Sequence, residues 1–297
     1  MVLKKLKRIW LALVIIFLFG GLLFLMDSCL QFRMSKSEID TYFAAKKDKG
    51  RVHQYFIEKR RINYLVVGDS LKPLLVFVHG SPGSLSAFID FMADTVLLSK
   101  AQLISIDRPG FGYSNFGFAE ASLQKQAAYL KPILEKHKKQ RPIILVGHSL
   151  GGPVICRMAM DYPELVDGLI IVAGSIAPDL EPNEWFRAPL ATPFFSWMMP
   201  RSLRASNKEI YRLKPELQKM IPLYPKIKAS TIVIQGGKDV LVDPGNADFA
   251  KKMIVNAPVK LMLKADMNHF VPWSNPALIR NAILKLLEGK SAINSSK

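Results

Sequence analysis

The sequence predicts an α/β fold behind an N-terminal membrane segment, and three observations predict it. From Arg51 onward, short β-rich segments alternate with longer helical ones, the pattern of a mostly parallel sheet with helices on both faces. The stretch "ILVGHSLGGP" at 144–153 runs from an apolar strand into a glycine-rich turn and then a helix. Residues 9–26 form an uncharged run, broken only by Gly20 and Gly21, behind Lys4, Lys5, Lys7 and Arg8.

That run just reaches the roughly 18 to 20 residues that cross hydrocarbon as a helix, is longer than a cleaved signal's apolar region, and has no A-x-A-like site after it. Residues 1–30 therefore read as a membrane anchor outside the globular fold. Two other readings stand beside it. Cys29 comes after Ser28 as in a bacterial lipoprotein signal, although Asp27 does not fit, and ordinary cleavage is the third. All three tether or export the domain. Four basic residues precede the span and only Arg33 and Lys36 lie close behind it, which places the domain outside the cytoplasm.

Residues 31–51 read as a linker, 52–290 as one catalytic-sized domain and 291–297 as a polar tail. Apolar residues make up 49% of the 297, enough to bury a large core. The formal charge of +17 comes from Lys and Arg scattered from Lys46 to Lys297, without the interleaved aromatics of a base-stacking platform. It reads as a surface suited to anionic lipid rather than to nucleic acid. Two cysteines give no disulfide framework, and Cys156 falls on a helix expected to be buried. Nothing in the sequence sets an oligomeric state.

In order, the strands are expected at 52–59, 62–67, 73–79, 102–107, 142–147, 167–173, 230–235 and 259–264. Helices are expected at 85–99, 120–139, 150–161, 246–256 and 275–289. The alternation fails from about 177 to 215, a segment rich in proline and aromatics without strand patterning, which reads as a small helical cap. Its Trp185, Phe186, Phe194, Phe195, Trp197, Met198 and Met199 either pack the cap or form an apolar substrate wall, and Trp185, Phe194, Phe195 and Trp197 would suit such a wall to a medium acyl chain or an aromatic group.

The candidate site begins at Ser149. Gly147 and Gly151 flank it in a G-x-S-x-G turn, which lifts a hydroxyl above the strand end and sets it at a helix N-terminus, where free N–H groups favour developing negative charge. A serine nucleophile needs a base. His53 lies in a strand, His137 at a helix end, His79 in another turn and His148 inside the elbow; His269 remains, in the loop after the last strand. A histidine base needs an acid, and Asp239 comes directly after a strand and falls between Ser149 and His269, giving the order Ser, Asp, His. Asp243 competes, four residues further on, and Asp266 is weaker because it sits too close to His269. The backbone N–H groups of Leu150, after the nucleophile, and Ser81, in "HGSPGS", are the expected oxyanion donors.

Four motifs in order carry a resemblance to the α/β-hydrolase superfamily over residues 52–290: "HGSPGS" at 79–84, "DRPGFGYS" at 107–114, "GHSLGG" at 147–152, and "GGKD" paired with "NHF" at Asp239 and His269. The resemblance implies an eight-stranded, mostly parallel sheet, a Ser149–Asp239–His269 triad, an acyl-enzyme intermediate and no metal or organic cofactor. It implies small-molecule carboxylic esters as substrates, with peptidase, thioesterase and cofactor-free haloperoxidase chemistry, or a non-catalytic binding module, as the other readings. Serine at the elbow argues against the dehalogenases and epoxide hydrolases, which carry aspartate there. Asp107 and Arg108 are read as structural and kept out of the site.

Overall fold

The computed structural model describes residues 2–138 and 141–294. Eight strands, β1 (Arg51–Ile57), β2 (Arg60–Val67), β3 (Leu74–Val78), β4 (Gln102–Ile106), β5 (Ile143–His148), β6 (Gly168–Val172), β7 (Ser230–Gly236) and β8 (Val259–Lys264), form one sheet. Its order is β1-β2-β4-β3-β5-β6-β7-β8. Only the β1–β2 and β2–β4 pairs are antiparallel. β3 to β6 are Val-, Ile- and Leu-rich and buried on both faces, which is why they read as apolar runs rather than alternating ones.

Alternate strand residues feed two cores. Val76, Val78 and Leu145 pack on one side with α3 (Leu123–His137) and α4 (Gly151–Asp161). Leu75, Phe77, Ile144 and Val146 pack on the other, together with Ile279, Ile283 and Leu287. These last belong to the terminal helix, Pro276–Asn294. That helix runs through the start of the expected polar tail, and 295–297 lie outside the described residues.

The N-terminal helix α1 (Val2–Cys29) contains the one stretch among the described residues long and apolar enough to cross a membrane, Lys5–Cys29, with mean hydropathy 2.8. The segment after it is folded, in contrast to the linker expected there. Residues 36–44 form α2 (Lys36–Ala44), which buries Ile39 and Phe43 in the second core. Ser35 starts it through a capping box: its hydroxyl accepts from Glu38 N–H while the Glu38 carboxylate accepts from Ser35 N–H.

Two further expectations shift. The helix expected at 85–99 is broken, because the Asp94 side chain accepts from Val96 and Leu97 N–H and starts a new helix, Thr95–Lys100. The helical insertion between β6 and β7 runs past its expected end at about 215. After single turns at Arg187–Leu190 and Pro193–Ser196 comes α5 (Arg201–Met220), which carries Pro215 inside it. Burial of Leu213, Leu217 and Met220 in the first core outweighs the backbone hydrogen bond that Pro215 forfeits.

Candidate active site

β5 delivers Ser149 to the rim of the sheet, and the turn there is tight. Ser149 has φ 53°, the left-handed region that a non-glycine residue occupies only when its surroundings hold it there. Ser149 N–H donates to Val172 O at 3.0 Å, and Ser149 O accepts from Gly152 N–H at 2.8 Å. A Cβ on Gly151 would lie 2.1 Å from Val78 O, and one on Gly147 would lie 2.5 Å from Gly151 O. Any side chain at either position would push the elbow off the strand.

Asp239 lies just past β7 and His269 just past β8. His269 Nδ1 donates to Asp239 Oδ2 at 2.9 Å. Asp239 Oδ2 also accepts from Gln235 Nε2 at 3.1 Å, while Oδ1 accepts from Leu241 N–H at 3.0 Å and Val242 N–H at 2.9 Å. Burial alone would raise the Asp239 pKa. The hydrogen bond from His269 and those from the two backbone N–H groups outweigh it and hold the carboxyl below the usual range. Asp243 is exposed and accepts from Gly245 N–H at 2.8 Å at the start of the next helix, and Asp266 is exposed.

Ser149, His269, Leu150 and Ser81 line one cavity of about 910 Å³, with Asp239 behind His269. Its apolar wall includes Phe186, Leu190, Met199, Ile210, Val242 and Trp273. Its lining also carries polar groups: Ser175 donates to Glu181, whose pKa burial raises, and Arg187 pairs with Glu184 at 2.5 Å. A smaller cleft of about 280 Å³ beside Lys36, His53 and Arg61 holds none of the sequence candidates.

Four of the expected cap aromatics are not in the wall. Trp185, Phe194, Phe195 and Trp197 are 81%, 71%, 43% and 57% exposed and none lines the cavity. The inner face of the cap is taken by Phe186 and Met199, two of the expected candidates, and by Leu190, which the sequence reading did not single out. Phe32, from the segment after α1, also lines the cavity.

Arg108 lies closer to the site than its sequence motif suggests. Its guanidinium is fully buried and bidentate to Glu209 of α5, at 2.9 and 3.1 Å. It donates to the carbonyls of His79 and Gly80, at 2.8 and 2.9 Å, and Ser81 Oγ donates to Glu209 at 3.1 Å. The loop bearing Ser81 is thus clamped between β4 and the cap helix. His79, buried and beside Arg108, has its pKa pushed well down; its Nε2 accepts from Arg108 N–H at 3.0 Å.

His148 is the other neighbour that the sequence left unassigned. Burial, then the nearby His269, lowers its pKa to about 4, so its ring is neutral. Its Nε2–H donates to His269 O at 3.0 Å and it packs edge-on against Trp273. It supports the loop that carries His269.

Residues 73–209 match the family model described as alpha/beta hydrolase fold. A 1-acylglycerol-3-phosphate O-acyltransferase of Arabidopsis thaliana is 36% identical over 125 residues, 39% of this chain and 29% of that protein. The sn-1-specific diacylglycerol lipase ABHD11 of Mus musculus is 30% identical over 108 residues, 36% of this chain and 34% of that protein. The matched segment thus spans about a third of these curated relatives. Among solved structures, a membrane phospholipase A described as a bacterial virulence factor superposes with TM-score 0.63 at 20% identity, covering 95% of this chain and 98% of that one. The epoxide hydrolase CorEH gives 0.64 at 16% identity, covering 81% and 99%. At such identities the likeness is one of fold. The chain has the α/β-hydrolase fold, and its similar proteins include lipases, esterases, epoxide hydrolases and peptidases.

Proposed function

We propose that the protein is a membrane-tethered serine hydrolase of carboxylic esters that works through an acyl-enzyme. The observation that carries this reading is the Asp239–His269 hydrogen bond at 2.9 Å beside a left-handed Ser149 in one cavity. With Nδ1 committed to Asp239, Nε2 is the ring nitrogen left to take the Ser149 proton as Oγ attacks the ester carbonyl. The tetrahedral oxyanion is held by the backbone N–H groups of Ser81 and Leu150. Its collapse releases the alcohol, which takes the proton from Nε2 and leaves acyl-Ser149. Water, deprotonated by His269, attacks that ester, and the carboxylic acid leaves as Ser149 recovers its proton.

The ester reading is favoured over the related chemistries by the cavity itself, since about 910 Å³ lined largely by apolar side chains suits an acyl chain. Esterase and lipase names among the similar proteins point the same way. Ser149→Ala is expected to abolish both hydrolysis of p-nitrophenyl esters and labelling by a serine-directed fluorophosphonate, with the circular dichroism spectrum unchanged. Asp239→Asn should lower kcat by about 10⁴ yet stay above background, because His269 loses its orienting anion while the oxyanion donors remain. A Ser149→Ala protein that still labels or turns over would rule out Ser149 as the nucleophile, and peroxide-dependent halogenation or peptide cleavage without ester hydrolysis would replace the ester.

A further inference from the structure

Two uncharged stretches end at the same level of the molecule. The apolar run of α1 ends at Met26, immediately before Asp27. The cap stretch 188–200 carries no charged residue and ends immediately before Arg201. Asp27 and Arg201 pair at 2.7 Å, and Arg201 N–H also donates to Asp27 at 2.7 Å. Ser202 donates to Leu30 O just beyond.

On the apolar side of that ion pair the cap runs alongside the helix. Trp197 meets Phe19 edge-on, with ring centroids 6.5 Å apart. Phe19 lies seven residues before Met26, about 10 Å down the helix at 1.5 Å per residue. If α1 spans a membrane, whose hydrocarbon it leaves near Met26, Trp197 is then about 10 Å inside the leaflet, because a bilayer core is about 30 Å thick. The exposure of the cap aromatics fits that depth. Phe194 and Trp197 would be large apolar surface in water, and in hydrocarbon they are matched to their solvent.

We propose that residues 188–200 are immersed in the leaflet facing the domain and that the substrate is a bilayer lipid ester, whose acyl chain enters the cavity directly from the hydrocarbon. Leu190 and Met199, both within the immersed stretch, also line the cavity that holds Ser149, so lipid and nucleophile share one wall. Phe32, held at φ 51° just after α1, forms another part of the same lining. The flanking charges sit where headgroups would be: Arg201 and Arg204 on the cap, Arg33 after the helix. This proposal rests on the reading of α1 as a retained span and of Ser149 as the nucleophile.

The test uses the full chain, with Cys29→Ser, reconstituted in phosphatidylcholine–phosphatidylglycerol vesicles. Phe194→Cys carries an NBD label, and Lys219→Cys, on the exposed end of α5, is the control; Cys156 is buried and does not react. Quenching of the residue 194 label by acyl-brominated lipid should exceed that of the control at least 5-fold, and quenching by aqueous iodide should be correspondingly weaker. In parallel, the double variant Phe194→Ser, Trp197→Ser should hydrolyse a bilayer-dispersed diacyl lipid at least 10-fold more slowly than wild type, yet cleave water-soluble p-nitrophenyl acetate at the wild-type rate. A residue 194 label that iodide quenches as readily as the control, in vesicles that float with the protein, overturns the immersion and leaves the tether standing. Protein that does not float overturns the tether and the immersion together. Wild type that hydrolyses neither ester removes the ester hydrolase reading instead. Equal loss on both esters in the double variant would mean that the cap has collapsed onto the site, and the proposal fails.

Discussion

Glu209 sits on the cap helix, yet its carboxylate ends beneath the loop that carries Ser81, where Arg108, Gln126 and Ser81 all donate to it. Removing one member of such a buried pair leaves the other charged and unsolvated, which costs about 3 to 5 kcal/mol. Glu209→Gln keeps the shape and loses the charge, so a destabilisation of that order is expected in urea unfolding. The catalytic consequence is separable from it. Arg108 holds the Gly80 carbonyl at 2.9 Å, one residue from the proposed oxyanion donor, and a loosened loop is felt only when the oxyanion forms. Per fluorophosphonate-titrated site, kcat should fall about 10-fold with KM changed less than 2-fold, whereas a purely structural role would leave kcat per titrated site intact. This network was not legible in the sequence, because Arg108 and Glu209 are 101 positions apart and neither motif predicts the other. The place of Asp239 just past a strand was readable for the opposite reason, because that strand's apolar run is unmistakable, while Asp243, four residues further, accepts from Gly245 N–H in the turn before the next helix.

At the scale of elements, the eight strands were readable because buried parallel strands are written as Val, Ile and Leu runs between turns. Helices with weak or interrupted periodicity were not. The segment 31–51 looked like a linker because it is polar and short, and only two residues of its helix, Ile39 and Phe43, are buried in the core. The available signal was the Ser35–Glu38 capping box, which marks a helix start regardless of hydrophobicity. Phe43 is 2% exposed and packs in the core beside β2 and β3. Phe43→Ala should therefore cost about 3 to 5 kcal/mol in denaturant unfolding of the full chain in detergent. A change within about 0.5 kcal/mol, as expected of a solvated linker residue, would show that α2 is not part of the folded core.

For the whole molecule, the sequence sets the apolar N-terminal segment apart from the domain, and the structure packs the end of that helix against it. Arg33 lies between the rings of Tyr113 and Phe116, 4.2 and 4.4 Å from their centroids, and donates to Gly112 O at 2.5 Å. Together with the Asp27–Arg201 pair these contacts hold the end of α1 against the cap and the loop after β4. Contacts between residues about 80 or more positions apart leave no trace in local pattern, which is why the joint was invisible in the sequence. The nature of the tether has a direct test. A retained helix keeps the protein in the membrane fraction through high salt and alkaline carbonate, because neither weakens the burial of apolar side chains in hydrocarbon, and only detergent releases it. Adsorption through the basic surface alone would be reversed by salt. An acyl group on Cys29 would fractionate like the helix, so intact mass decides between them. A mature chain beginning at Met1 is expected, since Asp27, in α1 before Cys29, pairs with Arg201 of the cap, a contact that cleavage would remove. A chain beginning at acylated Cys29 would have lost Phe19, and with it the contact that sets the depth of Trp197.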